Sequence, residues 1–384
     1  MYQALPPSRH FNEEHQALRE TVRRFVDREL LPHVDAWEEA GEFPRALYGR
    51  AAELGLLGLG FPEQFGGTPG TLFHAMAVVD ELTRTACGGL LASLFSHTIG
   101  APPIVAGGSS ALKARVLPQI LSGKKISALA VTEPGGGSDV ANLALRAERD
   151  GEYYVLNGSK TFITSGMRAD YLTVAARTGG PGAAGVSALL VEGDTPGLTR
   201  TPLKKMGWWC SDTAQLHFDN CRVPVANLLG QENAAFPLLM LNFNRERLSL
   251  AWQAYGFARV CLDEASDWAG ARTTFGKRLV GHQVVRHKLV EMATRIEATR
   301  ALIEDMTHRI ECNEAPIAQI CMLKNFAAQT MQFCADNAVQ LLGGMGFMRG
   351  TKSERIYREV KVNMIGGGAE DVLNELAARQ LGWA

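Results

Sequence analysis

The stretch Asp150-Gly151-Glu152-Tyr153-Tyr154-Val155-Leu156-Asn157-Gly158-Ser159-Lys160-Thr161-Phe162-Ile163-Thr164 decides the fold class. Asp-Gly and Asn-Gly are the dipeptides of two-residue hairpin turns, because both central residues of such a turn need positive φ. The runs between and after them are rich in aromatic and β-branched residues, as strands are. Two hairpins in succession predict an antiparallel sheet or barrel rather than a parallel doubly wound sheet. Phe162 and Thr164 are two residues apart, which on a regular pleat places them on one face.

Working outward, strand-like runs return at Ser187–Val191 and Ala214–Phe218, after a Gly/Pro/Ala loop from Gly179 to Gly185. On either side the periodicity is helical. Asn12 is an N-cap candidate, with Leu18, Val22, Phe25 and Val26 following at helical spacing. Pro44 and Gly55 bracket a short helix, and further helical segments are expected at 71–86, 89–106 and 109–121. Beyond Pro237, one apolar stripe comprises Leu248, Ala251, Trp252, Tyr255 and Leu262, and a second Leu289, Met292, Ile296, Thr299 and Ile303. A third long helix is expected over Ile317–Leu342, stopped by Gly343-Gly344. Long helices with short connections form antiparallel bundles. The class is therefore α+β: an N-terminal helical domain (1–126), a central antiparallel β-barrel-like domain (127–237) and a C-terminal antiparallel four-helix bundle (238–384).

A chain of 384 residues exceeds one small core. The formal net charge of −1 argues against a nucleic-acid footprint spread over the whole surface. No apolar run approaches the roughly 20 residues that span a bilayer. The residues from Met1 to Pro7 lack both the apolar core of a secretory signal and an Arg/Ser-rich leader, so the expectation is cytoplasmic. Seven dispersed cysteines without a CxxC pair read as reduced, mostly buried thiols. Nine histidines without a zinc-ligand spacing give no reason to expect a metal.

Four motifs carry chemistry. Val131-Thr132-Glu133-Pro134-Gly135-Gly136-Gly137-Ser138-Asp139 is a glycine-rich strand exit, by itself either a surface turn or a backbone cradle for a planar or anionic ligand. Lys160 to Gly166 is a half-buried strand with an aromatic on one face. Arg272-Thr273-Thr274-Phe275-Gly276-Lys277, followed by Gln283, is an interhelical loop whose arginine fork suits a pyrophosphate. Gln340-Leu341-Leu342-Gly343-Gly344-Met345-Gly346-Phe347 is a glycine helix stop.

Taken in order over nearly the whole chain, these motifs resemble those of the acyl-CoA dehydrogenases. The resemblance implies FAD as cofactor, an acyl-CoA thioester as substrate, an electron-transferring flavoprotein as acceptor and a homo-oligomer, a tetramer. By position, Val131, Thr132, Gly137 and Ser138 touch flavin or ligand, Phe162 lies against the isoalloxazine, and Thr164 bonds near N5. Arg272, Thr274, Phe275 and Gln283 match the residues that hold a neighbouring subunit's FAD. Gln340 and Gly344 match its adenosine end, and Ala369 and Asp371 are placed with the cofactor. Arg355 and Glu359 fall at the expected spacing beyond the fourth motif. Ser138 and Arg247 fall on substrate-binding positions.

The base is the most informative position. Much of the family has a glutamate where this chain has Gly367, in Ile365-Gly366-Gly367-Gly368-Ala369-Glu370. A glycine supplies no base, although its N–H can still polarise the thioester. Glu246, in Asn244-Arg245-Glu246-Arg247-Leu248, stands where the isovaleryl and long-chain branch keeps its glutamate. Considered without the family, a Glu between two Arg is a helix-surface ion pair. Gly366 replaces a tyrosine that crowds the acyl β-carbon in many members, which admits branching. Trp208 and Trp209 are expected to pack rather than to line a pocket. Two other readings stay open: a flavin oxidase or monooxygenase of the same fold, and a redox-inert acyl-CoA-binding flavoprotein.

Overall fold

The computed structural model describes residues 8–383. Asn12 caps the helix Glu13–Phe25 by accepting from the N–H of His15, as its position suggested. The short helix Ala46–Glu53 follows Pro44 and ends before Gly55, whose φ is +74°. The single helix expected over 89–106 is three pieces: Gly88–Leu94, His97–Gly100 and Pro102–Gly107. Pro102 and Pro103 have no N–H for the preceding turn, so each can only begin a helix here. Val34–Ala40, Leu72–Leu82 and Ser110–Leu121 are the other α-helices of this region.

The sheet comprises β1 (Ser127–Ala130), β2 (Arg146–Asp150), β3 (Tyr153–Ile163), β4 (Tyr171–Arg177), β5 (Val186–Glu192), β6 (Leu198–Pro202), β7 (Ala214–Pro224) and β8 (Leu228–Leu229). Its order is β6-β7-β3-β2-β4-β5-β8, with β1 on β4. Most pairs are antiparallel, and the pairing order is open, but β1 and β2 each meet β4 in parallel. Asp150-Gly151 does turn β2 into β3. Asn157-Gly158 does not turn; β3 runs straight through it. Leu156 pairs with Cys221 and Gly158 with Phe218, so β7 carries one extra residue and bulges at this point, and the Asn157 side chain accepts from the N–H of Asn220 at 2.8 Å. Gly158 has φ +140°, and a Cβ there would lie 2.9 Å from Leu145 Cα. The dipeptide serves a crossing of backbones, not a hairpin.

Three long helices follow: Phe236–Ala271, Gln283–Glu311 and Ile317–Leu342, the last ending before Gly343 as expected. Lys352–Ile365 and Glu370–Gln380 pack on them. The helices before and after the sheet share one core. Val22, Phe25, Leu30 and Leu82 meet Leu248, Trp252, Phe257, Met292, Ile296 and Met331 there. The sheet has its own core. β5 is buried on both faces, with Leu189 and Val191 in that core and Ala188 and Leu190 against Ile104, Val116 and Leu117. Six cysteines are buried and Cys312 is exposed. Among the described residues no single helix is long and apolar enough to cross a membrane.

Candidate active site

The helix Lys352–Ile365 ends in three glycines before Glu370–Gln380 begins. Gly367 and Gly368 have φ of +68° and +115°, left-handed values that any Cβ strains. Three carbonyls of this turn are held by cations. Lys324 Nζ donates to Met364 O at 2.9 Å and to Gly368 O at 2.8 Å. Arg247 Nε donates to Gly367 O at 2.9 Å, and its Nη1 to Asn244 Oδ1 at 2.7 Å. Arg247, placed on substrate by resemblance, is buried and engaged with the turn.

Glu246 shares this wall. A Cβ on Gly367 would lie 2.9 Å from Leu250 Cδ1. Glu246 is four residues before Leu250 on the Phe236–Ala271 helix, hence one turn away on the same face. The surface ion pair that an isolated reading allows is absent: among the described residues Glu246 makes no hydrogen bond and no ion pair within 4 Å. Burial raises its carboxyl to about 7, against the opposing charges of Arg247 and Lys324. A half-buried carboxylate that titrates near neutrality, with no partner to occupy it, has the properties of a general base.

The two flavin-type motifs meet in the sheet. Thr161 N donates to Thr132 O at 2.8 Å, which joins the glycine-rich exit to the end of β3. Beneath them Lys160, fully buried, donates to Glu133 Oε1 at 2.7 Å and to Val131 O at 2.8 Å. Glu133 also accepts from the N–H groups of Ala144 and Leu145. Three steps of β3, Lys160 to Ile163, match two of β7, Leu216 to Ala214. Phe162 sits in that bulge at φ +59°, and Thr164 lies beyond the strand. The pleat expected to align them is therefore interrupted. The bulge turns the Phe162 ring outward, 69% exposed.

Val131 is buried and Thr132 half-buried, while Gly137 and Ser138 are exposed. Arg272, Phe275, Gln283, Gln340 and Gly344 are exposed and Thr274 is half-buried; none bonds to the flavin-type loops among the described residues. Phe275 is 98% exposed at φ +49°. Ala369 caps the Glu370–Gln380 helix, and Asp371 is exposed in its first turn. Gly135, Gly136, Gly343 and Gly344 have open space where a Cβ would stand. Exposed rings and bare backbone suit a large planar, phosphate-bearing group such as FAD.

Arg355 and Glu359 serve a domain junction instead. Arg355 pairs with Asp35, and Glu359 accepts from the N–H groups of Gly88 and Trp208. Burial and the nearby Glu38 push the Glu359 carboxyl up. The Trp208 side chain lies against Gly88 and Gly89, and Arg349 and Arg358 stack on Trp209 at 4.3 and 3.9 Å. Both tryptophans pack.

Glu133, Lys160 and Lys324 are the functional-site residues that sequence reading missed. Lys324 did leave a signal: it interrupts the buried stripe Ile320, Leu323, Ala327, Ala328 and Met331, where a lysine needs partners.

Profiles described as acyl-CoA dehydrogenase N-terminal, middle and C-terminal domains match residues 12–124, 128–221 and 234–382. The mitochondrial long-chain specific acyl-CoA dehydrogenase of Sus scrofa is 37% identical over 375 residues, 97% of this chain and 87% of that protein. A putative acyl-CoA dehydrogenase from Mycobacterium smegmatis superposes with a TM-score of 0.96 at 48% identity, covering 97% of this chain and 99% of its own. A glutaryl-CoA dehydrogenase from Mycobacterium smegmatis, in complex with FADH2, superposes with a TM-score of 0.90 at 27% identity, covering 97% and 95%.

Proposed function

The chain belongs to the acyl-CoA dehydrogenase family, and we propose that Glu246 is its catalytic base. The protein is an oxidoreductase acting on the CH–CH bond of an acyl-CoA thioester. Bound FAD would supply the acceptor for the hydride that leaves the β-carbon. The ionised Glu246 takes the α-proton, and burial makes it a stronger base than an exposed glutamate. The Gly367 N–H donates to the thioester oxygen as negative charge gathers there. Arg247 and Leu250, the neighbours of Glu246 on its helix, hold the carbonyl and the face of Gly367.

The observation that carries this reading is the unpaired Glu246 on the helix face that packs over Gly367. The test is an anaerobic mix of the FAD-loaded protein with acyl-CoA. Glu246→Gln is expected to bind acyl-CoA and leave the flavin yellow; bleaching at the wild-type rate overturns the assignment.

The fit of the exposed motifs supports FAD held by Val131, Thr132, Gly137, Ser138, Phe162 and Thr164. A partner subunit's Arg272, Thr274, Phe275 and Gln283 would complete that site, with Gln340 and Gly344 at its adenosine end and Ala369 and Asp371 beside it. On this reading the protein is a homo-oligomer, a tetramer, that passes electrons to an electron-transferring flavoprotein. The 98% exposure of Phe275 supports the assembly, because a ring so bare in one chain is suited to a partner or a ligand. Arg272→Ala is expected to weaken FAD binding with the helical signal unchanged. Full FAD affinity in a monomer refutes the shared site. Ser138 and Gly366 are assigned to the acyl-CoA side.

A further inference from the structure

The turn that offers the Gly367 N–H has no side chain of its own to hold it. Gly366, Gly367 and Gly368 are three consecutive residues with the greatest backbone freedom, and two of them are left-handed. An N–H aimed by such a turn points wherever the turn's ends are held. Both ends are held by one group. The Lys324 ammonium, 1% exposed, bridges Met364 O on the near side and Gly368 O on the far side at 2.9 and 2.8 Å. Arg247 fixes only the middle carbonyl. Asn325, next in the chain, donates to Glu370 O and so secures the helix that follows.

We propose that Lys324 is a positioning residue: it clamps the two ends of the triple-glycine turn so that the Gly367 N–H meets the thioester oxygen. This rests on the reading of Gly367 given above. A lysine suits the task because one ammonium presents several donors in a small volume and reaches both carbonyls from a neighbouring helix. Its loss leaves the buried Met364 carbonyl and the half-buried Gly368 carbonyl without the donor they share, and the glycines then relax toward other conformations. The damage falls on the reaction more than on binding, because the thioester oxygen gathers charge only as the α-proton departs.

The test compares FAD-loaded wild type, Lys324→Met and Lys324→Gln, with a 13C-labelled thioester whose carbonyl stretch is read by infrared difference spectroscopy. In wild type, binding is expected to move the stretch to lower frequency, as donors polarise the C=O bond. In Lys324→Met that displacement is expected to fall by half or more. kcat should fall about a hundredfold, the scale of a misplaced catalytic group, with KM within about threefold and flavin content unchanged. Lys324→Gln keeps a neutral donor and is expected to lie between, and it carries the test if the Met variant does not fold. A variant that keeps the full displacement and kcat while losing only thermal stability overturns the positioning role. Absence of any displacement in wild type overturns the Gly367 reading instead.

Discussion

Two buried lysines, one in the sheet and one in the helical bundle, stand near glutamates with opposite fates. Lys160 donates directly to Glu133, and Glu133 gains two backbone N–H groups as well. Burial would raise the Glu133 carboxyl, but the charge of Lys160 and these hydrogen bonds together hold it below the ordinary range. Lys324 gives its bonds to Met364 O and Gly368 O, and Glu246 receives none. Burial therefore prevails, and Glu246 rises to about 7. Both lysines are lowered to about 8, chiefly by burial. What separates a structural carboxylate from a reactive one here is where the neighbouring ammonium directs its donors.

Removing the reactive carboxylate sharpens that contrast most. Glu246→Gln is expected to cut the rate of flavin reduction about 10²–10⁴-fold, the usual yield of a general base, with FAD content and fold intact. In wild type the same carboxyl must be ionised, so reduction should slow as pH falls below about 7. A rapid-mixing record with no acid limb and no loss in the variant would break the comparison.

Lys160→Met strands Glu133 as a buried, unpaired charge and is expected to cost about 3–5 kcal/mol in urea unfolding. A loss below about 1 kcal/mol, in the range of an exposed ion pair, would show that Glu133 is held by its backbone donors alone.

Glu246 should behave oppositely. Its folded value of about 7 lies above the ordinary 4.5, so the folded state binds the proton more tightly. That advantage is complete below pH 4.5 and is lost as pH rises through 7. At about 1.4 kcal/mol per pH unit, the ionised carboxylate costs the fold roughly 3 kcal/mol at pH 8. Glu246→Gln is therefore expected to stabilise the protein at pH 8 and to match wild type near pH 4. Equal denaturation midpoints at pH 8 would contradict the account.

The smallest expected effect concerns the pocket. Gly366 leaves no side chain beside the turn, so 3-methyl acyl-CoAs should keep kcat/KM within about tenfold of straight chains, roughly 1.4 kcal/mol. A loss of about a hundredfold on branching would reject it.

The proposed site was named in the sequence as residues, and less of it as geometry. Glu246, Gly367 and the four cofactor motifs were singled out through resemblance, and their roles stand as proposals. The pleat relating Phe162 to Thr164 was wrong because a bulge against β7 intervenes. Arg247 was expected on the substrate, and its visible bonds go to the turn and Asn244. Lys160 and Lys324 were passed over because a lysine in one strand or helix reads as solvated until its burial is known.

The sequence alone determined the helix–sheet–helix order, the Asn12 cap, the Asp150-Gly151 turn and the Ile317–Leu342 helix ending at Gly343. Each depends on residues within a few positions of one another, where caps, periodicity and turn chemistry act. Only the tertiary structure decided that Asn157-Gly158 crosses rather than turns, because Leu145 and Asn220 approach it from elsewhere in the chain. It likewise decided that Glu133 is pinned and Glu246 left unpaired. A carboxyl's proton affinity follows from burial and from the donors that reach it, and both are set by segments distant in sequence.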